Sequence, residues 1–140
     1  MANDKPLLQE YSKFIRELEI ENLYAESASF ELKNPVTLEG PISTNLRETP
    51  KVRELSGDHL VAEDAYRMDI KEKRSRKTLV VVKVTFVVVY AIGGTPPDEV
   101  LQRFLKRNVR VNTWPFFREV VYSSLARMGL PPLILPVLKG

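Results

Sequence analysis

Two neighbouring stretches in the middle of the chain have hydrophobic patterns typical of β-strands. Tyr66, Met68 and Ile70 alternate with charged residues, so the first stretch has one buried face and one solvated face. The second stretch, Leu79–Tyr90, consists almost entirely of β-branched and aromatic residues, and its other face is also apolar at both ends. We therefore expect this strand to be covered on both faces over much of its length.

A further strand is predicted at Ile20–Leu32. Residues 33–49 contain two prolines, a glycine and several turn formers, which favours a loop that crosses the domain, with room for a short strand around Ile42. A short strand is predicted at Pro50–Leu55, and a hairpin turn at Arg74–Lys77. The apolar side of the Ile20–Leu32 strand is predicted to consist of Tyr24, Ala28, Phe30 and Leu32.

The order of these elements indicates one α+β domain, a four-stranded antiparallel sheet with helices on one side. Residues 1–18 have an amphipathic pattern, which predicts an N-terminal helical arm, and the strands fall within residues 20–92. Two helical patterns follow within residues 96–128, and a proline-rich apolar tail occupies residues 129–140. With 140 residues and 44% apolar content, the chain can build a single core.

The last third of the chain combines a helix, a glycine stop and an apolar tail. Asn112 or Thr113 is a suitable cap for this helix, and Pro115 fits its first turn, where the missing N–H costs nothing. Gly129 and the prolines after it are expected to end the helix. The apolar residues expected to pack on the sheet or on another subunit are Trp114, Phe116, Phe117, Val120, Val121 and Leu125.

The composition and the motifs of the chain argue against several kinds of functional site. The chain has no cysteine, which excludes disulfides and thiolate metal sites. His59 is the single histidine, and neither a nucleophile elbow nor a phosphate-binding glycine loop is present, so we predict neither an enzyme nor a bound cofactor or metal. The N-terminus lacks the apolar run of a secretory signal, and no apolar run is long enough to span a bilayer, so we expect a cytoplasmic protein.

Basic residues crowd the predicted hairpin, which raises the question of nucleic-acid binding. The cluster consists of Lys71, Lys73, Arg74, Arg76 and Lys77. Neighbouring acids and a net charge of only +3 dilute its field, and no aromatic platform lies among the basic residues. We therefore do not expect nucleic acid to be a partner.

The apolar surface exceeds what one small domain can bury. The valine-rich strand is apolar on two faces, the long helix is apolar on more than one side, and the tail adds further leucines. Self-association is therefore expected. The residues leave two alternatives open: subunit contacts cover the whole surplus, as in a structural adaptor, or a groove for other polypeptides persists.

Four motifs resemble the SecB family of bacterial protein-export chaperones. Residues 114–119 (WPFFRE) resemble the aromatic–Pro–aromatic–x–Arg–Glu opening of that family's main helix, and residues 127–136 (RMGLPPLILP) resemble the loop that follows it. Residues 20–31 resemble its first strand, and residues 62–66 resemble the entry to an inner strand. The likeness covers most of residues 20–137.

This resemblance implies a homotetramer built as a dimer of dimers that holds unfolded or nascent polypeptides without ATP. Some members serve export, and SecB-like proteins of another kind guard the labile antitoxin of a toxin–antitoxin system. The resemblance also implies a groove that binds client polypeptides. Leucines held in place by neighbouring prolines suit such a groove, because apolar contacts place little demand on the client's sequence. The positions that would line the groove are Leu130, Leu133, Leu135 and Val137.

Three features depart from the family pattern. The sequence ends before the family's C-terminal helix and tail, which help to recruit the SecA motor, and it has an added N-terminal helix. The family presents acidic residues to SecA on its exposed sheet face. Glu31 keeps one of these positions, whereas Ser27 and Lys83 stand where two other acids are expected. Because Lys83 reverses a charge, the same docking is disfavoured, and we expect coupling to SecA to be weakened.

Overall fold

A computed structural model describes residues 4–34, 41–131 and 133–136 of the chain. Its elements, in order, are helix α1 (Asp4–Glu17), strands β1 (Glu19–Leu32), β2 (Ile42–Leu55), β3 (His59–Glu72) and β4 (Thr78–Ala91), and helices α2 (Asp98–Phe104) and α3 (Arg110–Arg127). A π-helical turn at Leu105–Val109 joins α2 to α3. The chain thus has the predicted α+β fold, with a four-stranded antiparallel sheet and its C-terminal helix packed on one face of that sheet.

Strand β4 lies inside the sheet, whose order is β1-β4-β3-β2. Its helix-side residues are all buried, and Val81 and Val87 are buried on the opposite, open face as well. Lys83 is the exposed residue of β4. The prediction that this strand is covered on both faces over much of its length is therefore confirmed.

Strand β2 is longer than predicted. The proposed loop over residues 33–49 is wrong from residue 42 onward, because Ile42–Leu55 is one continuous strand paired with β3. Residues 35–40 lie outside the described part of the chain. Pro50 lies within the ladder, opposite Asp64. A proline is tolerated there because β2 is an edge strand, in which alternate N–H groups point away from the neighbouring strand.

The face of Tyr24 was predicted wrongly. Ala28, Phe30 and Leu32 do share the helix side of β1, but Tyr24 pairs with Val87 on the open face. The β1–β4 ladder has an irregularity between Ala25 and Ser27, where an extra residue interrupts the alternation of sides. Side chains before and after such a bulge exchange faces, which a strict period of two does not anticipate.

The predicted break between the two C-terminal helices is also wrong. The chain remains helical from Asp98 to Arg127, and Pro115 lies inside α3. Thr113, predicted as a cap, is instead buried against the sheet, and Asn112 accepts a hydrogen bond from the Tyr90 hydroxyl at 2.8 Å. The wider π-helical turn keeps the buried residues on the sheet side, so the helix continues without a cap.

Two apolar clusters lie between the sheet and the helices. In the larger cluster, the ring of Tyr66 stacks on Phe117 at 4.3 Å between centroids. In the other, Phe14 of α1 meets Phe104 edge-to-face at 5.3 Å. Helix α1 forms within the predicted arm, and it covers the α2 end of the sheet.

Candidate functional site

The apolar tail lies back along α3, and together they form a shallow groove. Its volume is about 260 Å³, slightly below the usual range for small-molecule pockets. Its open shape suits one or two side chains of a polypeptide better than a whole cofactor. We call it the helix–tail groove, and its lining residues are Pro115, Arg118, Glu119, Tyr122, Ile134 and Leu135.

The turn that starts the tail is a helix C-cap formed around Gly129. Gly129 has a φ of 72°, in the left-handed region that favours glycine. Its N–H donates to the Ala126 carbonyl at 3.1 Å, and the Leu130 N–H donates to the Leu125 carbonyl at 3.0 Å. This pair of bonds is the Schellman arrangement, so the predicted end of the helix is confirmed.

Two side chains of α3 then hold the tail in place. Trp114 donates its indole N–H to the Pro136 carbonyl at 2.8 Å, and Arg118 donates its Nε–H to the Leu135 carbonyl at 2.9 Å. These bonds orient the backbone of the tail against the helix without using its apolar side chains. The groove is therefore preorganised, which lowers the entropy that a bound segment would lose.

The tail residues predicted to line a client groove have different environments. Leu130 and Leu133 are partly buried against the larger cluster, whereas Leu135 is only 7% exposed and belongs to the core itself. Val137 lies outside the described residues. Ile134, which the sequence prediction missed, is 73% exposed and borders the groove. Alternation places the Ile134 side chain on the opposite side from Leu133 and Leu135, but it does not show which of the two sides is exposed.

The α3 residues predicted to pack fall into two groups according to their burial. Trp114, Phe117, Val121 and Leu125 are buried against the sheet. Val120 is partly buried, and Phe116 is 51% exposed. The outward side of α3 therefore carries exposed apolar residues, which are Val111, Phe116 and Tyr122.

A second exposed apolar surface lies on β1. Ile20, Phe30 and Leu32 pair with helix-side residues of β4, yet all three remain exposed. They lie along the outer edge of the sheet, where the backbone has no strand partner on one side. We call these three residues the edge strip.

A buried polar network ties β2 and β3 to the helix. Thr113 Oγ1 lies 2.7 Å from Asp64 Oδ2 and 2.8 Å from the Tyr66 hydroxyl. Asp64 and Thr113 are fully buried. Glu48 of β2 approaches the network from the edge, with its Oε1 3.3 Å from Arg110 Nε.

Burial and the neighbouring Asp64 carboxyl raise the pKa of Glu48 to about 8, although the charge of Arg110 acts in the opposite direction. Burial also raises the pKa of the Tyr66 hydroxyl. Within the described part of the chain, one oxygen each of Glu48 and Asp64 is buried without a hydrogen-bond partner. A second negative charge is disfavoured here, which favours the protonated form of Glu48.

The exposed residues of the open face are mostly polar. Glu31, Ser27 and Lys83 all lie on this face and are exposed. Arg53 of β2 reaches across this face and bonds to Glu26 of β1 and to Glu63 of β3. Val87, the ladder partner of Glu63, is fully buried on this face.

The structure assigns no catalytic constellation to His59. Its ring lies in an exposed ion-pair cluster, 2.8 Å from Glu21 and 3.2 Å from Asp58. The hydrogen bond with Asp58 and the charge of Glu21 raise the pKa of His59. Among residues 4–34, 41–131 and 133–136, no group of three or more His, Asp or Glu is arranged to hold a metal ion. None of the described helices has the length and apolar content that a bilayer crossing requires.

Comparisons with known proteins agree with this geometry. The family model for "Preprotein translocase subunit SecB" matches residues 8–138. A solved structure of the Mycobacterium tuberculosis SecB-like chaperone Rv1957, in complex with a ChAD peptide from the HigA1 antitoxin Rv1956, has a TM-score of 0.84 and 17% identity, and the match covers 94% of this chain and 98% of that one. A Streptococcus agalactiae protein of unknown function has a TM-score of 0.56 and 13% identity, with 86% and 97% covered. No curated protein sequence matches the chain.

Proposed function

The chain belongs to the SecB family, and we therefore propose that it is a chaperone that holds unfolded or nascent polypeptides without ATP. The observation that carries this proposal is the helix–tail groove, where Ile134 and Tyr122 remain exposed beside a preorganised wall. Apolar contact of this kind gives affinity with little demand on sequence, which suits a client that is unfolded. We propose the cytoplasm as the site of this activity, as family membership suggests.

We assign different roles to the edge strip, to the exposed apolar residues of α3 and to the helix–tail groove. The edge strip lies beside an unpaired strand edge, so a second copy can add its own β1 there and bury both strips. Further pairing of such dimers through Val111 and Phe116 of α3, which do not line the groove, would give the homotetramer that the family resemblance implies. The groove, with the polar residues Arg118 and Glu119 at its rim, is then the surface left for clients. Leu130 and Leu133 extend the groove wall, and Leu135 anchors it from beneath.

Protein export through SecA is not part of the main proposal. Of the three sheet-face positions compared with the family, Glu31 alone is acidic, and it is engaged by Lys33. Lys83 is exposed beside it and has the opposite charge. An acid-dependent docking on this face would therefore be weakened.

A second candidate is a chaperone dedicated to one antitoxin. It is favoured by the structure of the Mycobacterium tuberculosis SecB-like chaperone, which was solved with an antitoxin peptide. A dedicated chaperone would bind one peptide tightly and would fail to protect unrelated denatured proteins. A general holdase would protect several of them at similar excess.

The test measures aggregation of a chemically denatured client with and without the purified protein and without nucleotide. The wild type should suppress aggregation, and Ile134→Ser with Tyr122→Ser should lose most of this effect because the groove loses its apolar contacts. The matched control is Leu8→Ser with Leu55→Ser, which removes two exposed apolar side chains elsewhere. The wild type failing with every client, or both double variants losing activity equally, would contradict the proposal.

Assembly of the same variants distinguishes a chaperone from a structural adaptor. In a chaperone, Ile134→Ser with Tyr122→Ser should leave the native mass unchanged, because the groove is not a subunit contact. In an adaptor, the same change should dissociate the complex. Leu135 is unsuitable for this test, since a serine in the core would destabilise the fold itself.

A further inference from the structure

The open face of the sheet contains a row of three positive charges on adjacent strands. Arg47 of β2 pairs directly with Arg67 of β3, and Arg67 pairs directly with Lys83 of β4. All three side chains are exposed. Adjacent strands lie about 4.8 Å apart, so these charges span roughly 10 Å across the face. We call them the cationic row.

Such a row is unfavourable in the isolated protein, because like charges directly opposite each other on neighbouring strands repel. Arg67 donates its Nε–H to Asp69 at 3.0 Å. Arg47 and Lys83 form no ion pair with any side chain in the part of the chain that the structure describes. Two cations of the row are thus free to pair with another molecule.

The surroundings strengthen the positive potential. The row lies towards the β3–β4 turn, and this end of the sheet has a larger excess of positive charge than the +3 of the whole chain. The hydrogen bond from Lys33 lowers the pKa of Glu31, and the charges of Lys83 and Arg67 lower it further. Among the described residues, the cations at this end are Lys33, Arg47, Arg67, Lys71, Lys73, Arg74, Arg76, Lys77 and Lys83, against the acids Glu31, Asp69 and Glu72.

We propose that the cationic row binds an acidic polypeptide segment. Arginine forks and carboxylates match in geometry, and carboxylates on alternate residues of an extended segment lie roughly 6.6 Å apart, within reach of neighbouring long side chains. The binding surface is the opposite face of the sheet from the helix–tail groove, so it is separate from the proposed client site. It would let a partner dock while a client is held.

The row favours an acidic peptide over nucleic acid for two reasons. The next row along the strands contains Asp69 and Glu31, which a continuous phosphate backbone would have to pass at close range. In addition, no aromatic side chain lies among the three cations to stack on a base, whereas single-strand binding depends on such platforms. A peptide can place its carboxylates over the row alone.

The experiment uses the full chain and a fluorescent peptide of alternating Glu and Ser, followed by anisotropy. Binding should be measurable at low ionic strength and should weaken as salt is added, because exposed charges are screened. Arg47→Glu with Lys83→Glu should weaken binding by roughly tenfold or more. Arg47→Gln with Lys83→Gln, which removes the charges without reversing them, should act in the same direction and serves if the first variant folds poorly.

The matched control is Lys106→Glu with Arg107→Glu, which makes the same change in net charge at exposed positions between α2 and α3. The control should keep most of the peptide affinity, and suppression of client aggregation should be unchanged in the row variants. The proposal is overturned by absence of peptide binding at low salt, by equal losses in both double variants, or by an oligothymidylate that binds more tightly than the peptide.

Discussion

The two edges of the sheet are built differently. The β2 edge contains Pro50, a register irregularity beside Arg53, and mostly polar side chains along its length. The β1 edge is equally long, has no proline, and carries the edge strip of Ile20, Phe30 and Leu32. Both edges contain charged residues and register irregularities, but Pro50 lies in β2 and the exposed apolar strip lies in β1. Because a proline hinders strand addition and exposed apolar residues favour it, β1 is the edge better suited to a second copy.

The attachment of the two edges to the helices differs as well. Glu48 of β2 reaches Arg110 of α3 and the buried Asp64 network. In β1, Glu21 bonds to His59 and Glu26 bonds to Arg53, so these carboxylates bond within the sheet instead. The β2 edge is therefore attached to the helix of its own domain, whereas the β1 edge remains available for a second copy.

The largest effect is expected when the β1 edge is made charged. Phe30→Glu with Leu32→Glu should convert the assembly to monomers in size-exclusion chromatography with light scattering. A buried Phe or Leu contributes about 1.5–3 kcal/mol, and about 1.4 kcal/mol corresponds to tenfold, so losing two raises the dissociation constant roughly a hundredfold or more.

The matched control places the same charges on the other edge, as Ser43→Glu with Asn45→Glu in β2. This variant should keep the native mass of the wild type. If the β2 variant dissociates and the β1 variant does not, the assignment of the two edges is reversed. A wild type that is monomeric at micromolar concentration would remove the assembly proposal altogether.

A smaller effect is expected for the pH dependence of stability, because β2 is attached to α3 through the titratable side chain of Glu48. The folded-state pKa of Glu48 is about 8, against an ordinary value of 4.5, so the folded protein binds one more proton between these values. Its contribution to stability is fully present below pH 4.5 and is lost as pH rises towards 8. Arg110 and partial solvent access reduce this effect, so we expect a fall in melting temperature of only a few degrees from pH 5 to pH 8.

Thermal melting of Glu48→Gln measures this contribution. The variant keeps a neutral side chain at every pH, so its melting temperature should fall less than that of the wild type over the same range. Glu54→Gln, an exposed change on the same strand, should leave the pH dependence as it is. Equal falls in melting temperature for Glu48→Gln and the wild type from pH 5 to pH 8 would contradict this account of Glu48.

Sequence patterns predicted those parts of the fold that depend on local physical chemistry. The buried faces of β3 and β4 follow from strict alternation, and the end of α3 follows from Gly129. The α+β class and the family resemblance are confirmed by the topology and by the family match. These features need no knowledge of distant contacts.

The wrong predictions share a cause, since each depends on a partner that is distant in sequence. Pro50 is acceptable because β2 is an edge, which only the strand order reveals. Thr113 is drawn into the helix by Asp64, and Tyr24 changes face at a bulge in the ladder with β4. Ile134 was missed because three consecutive apolar residues do not show which one faces outward.

The most direct measurement of the central claim is photo-crosslinking to a denatured client. Benzoylphenylalanine placed at Ile134 should crosslink to the client, whereas the same probe at Leu55, an exposed apolar position on β2, should not. If the probe at Ile134 crosslinks only to other copies of the chain, or if both positions label the client equally, the helix–tail groove is not the client site.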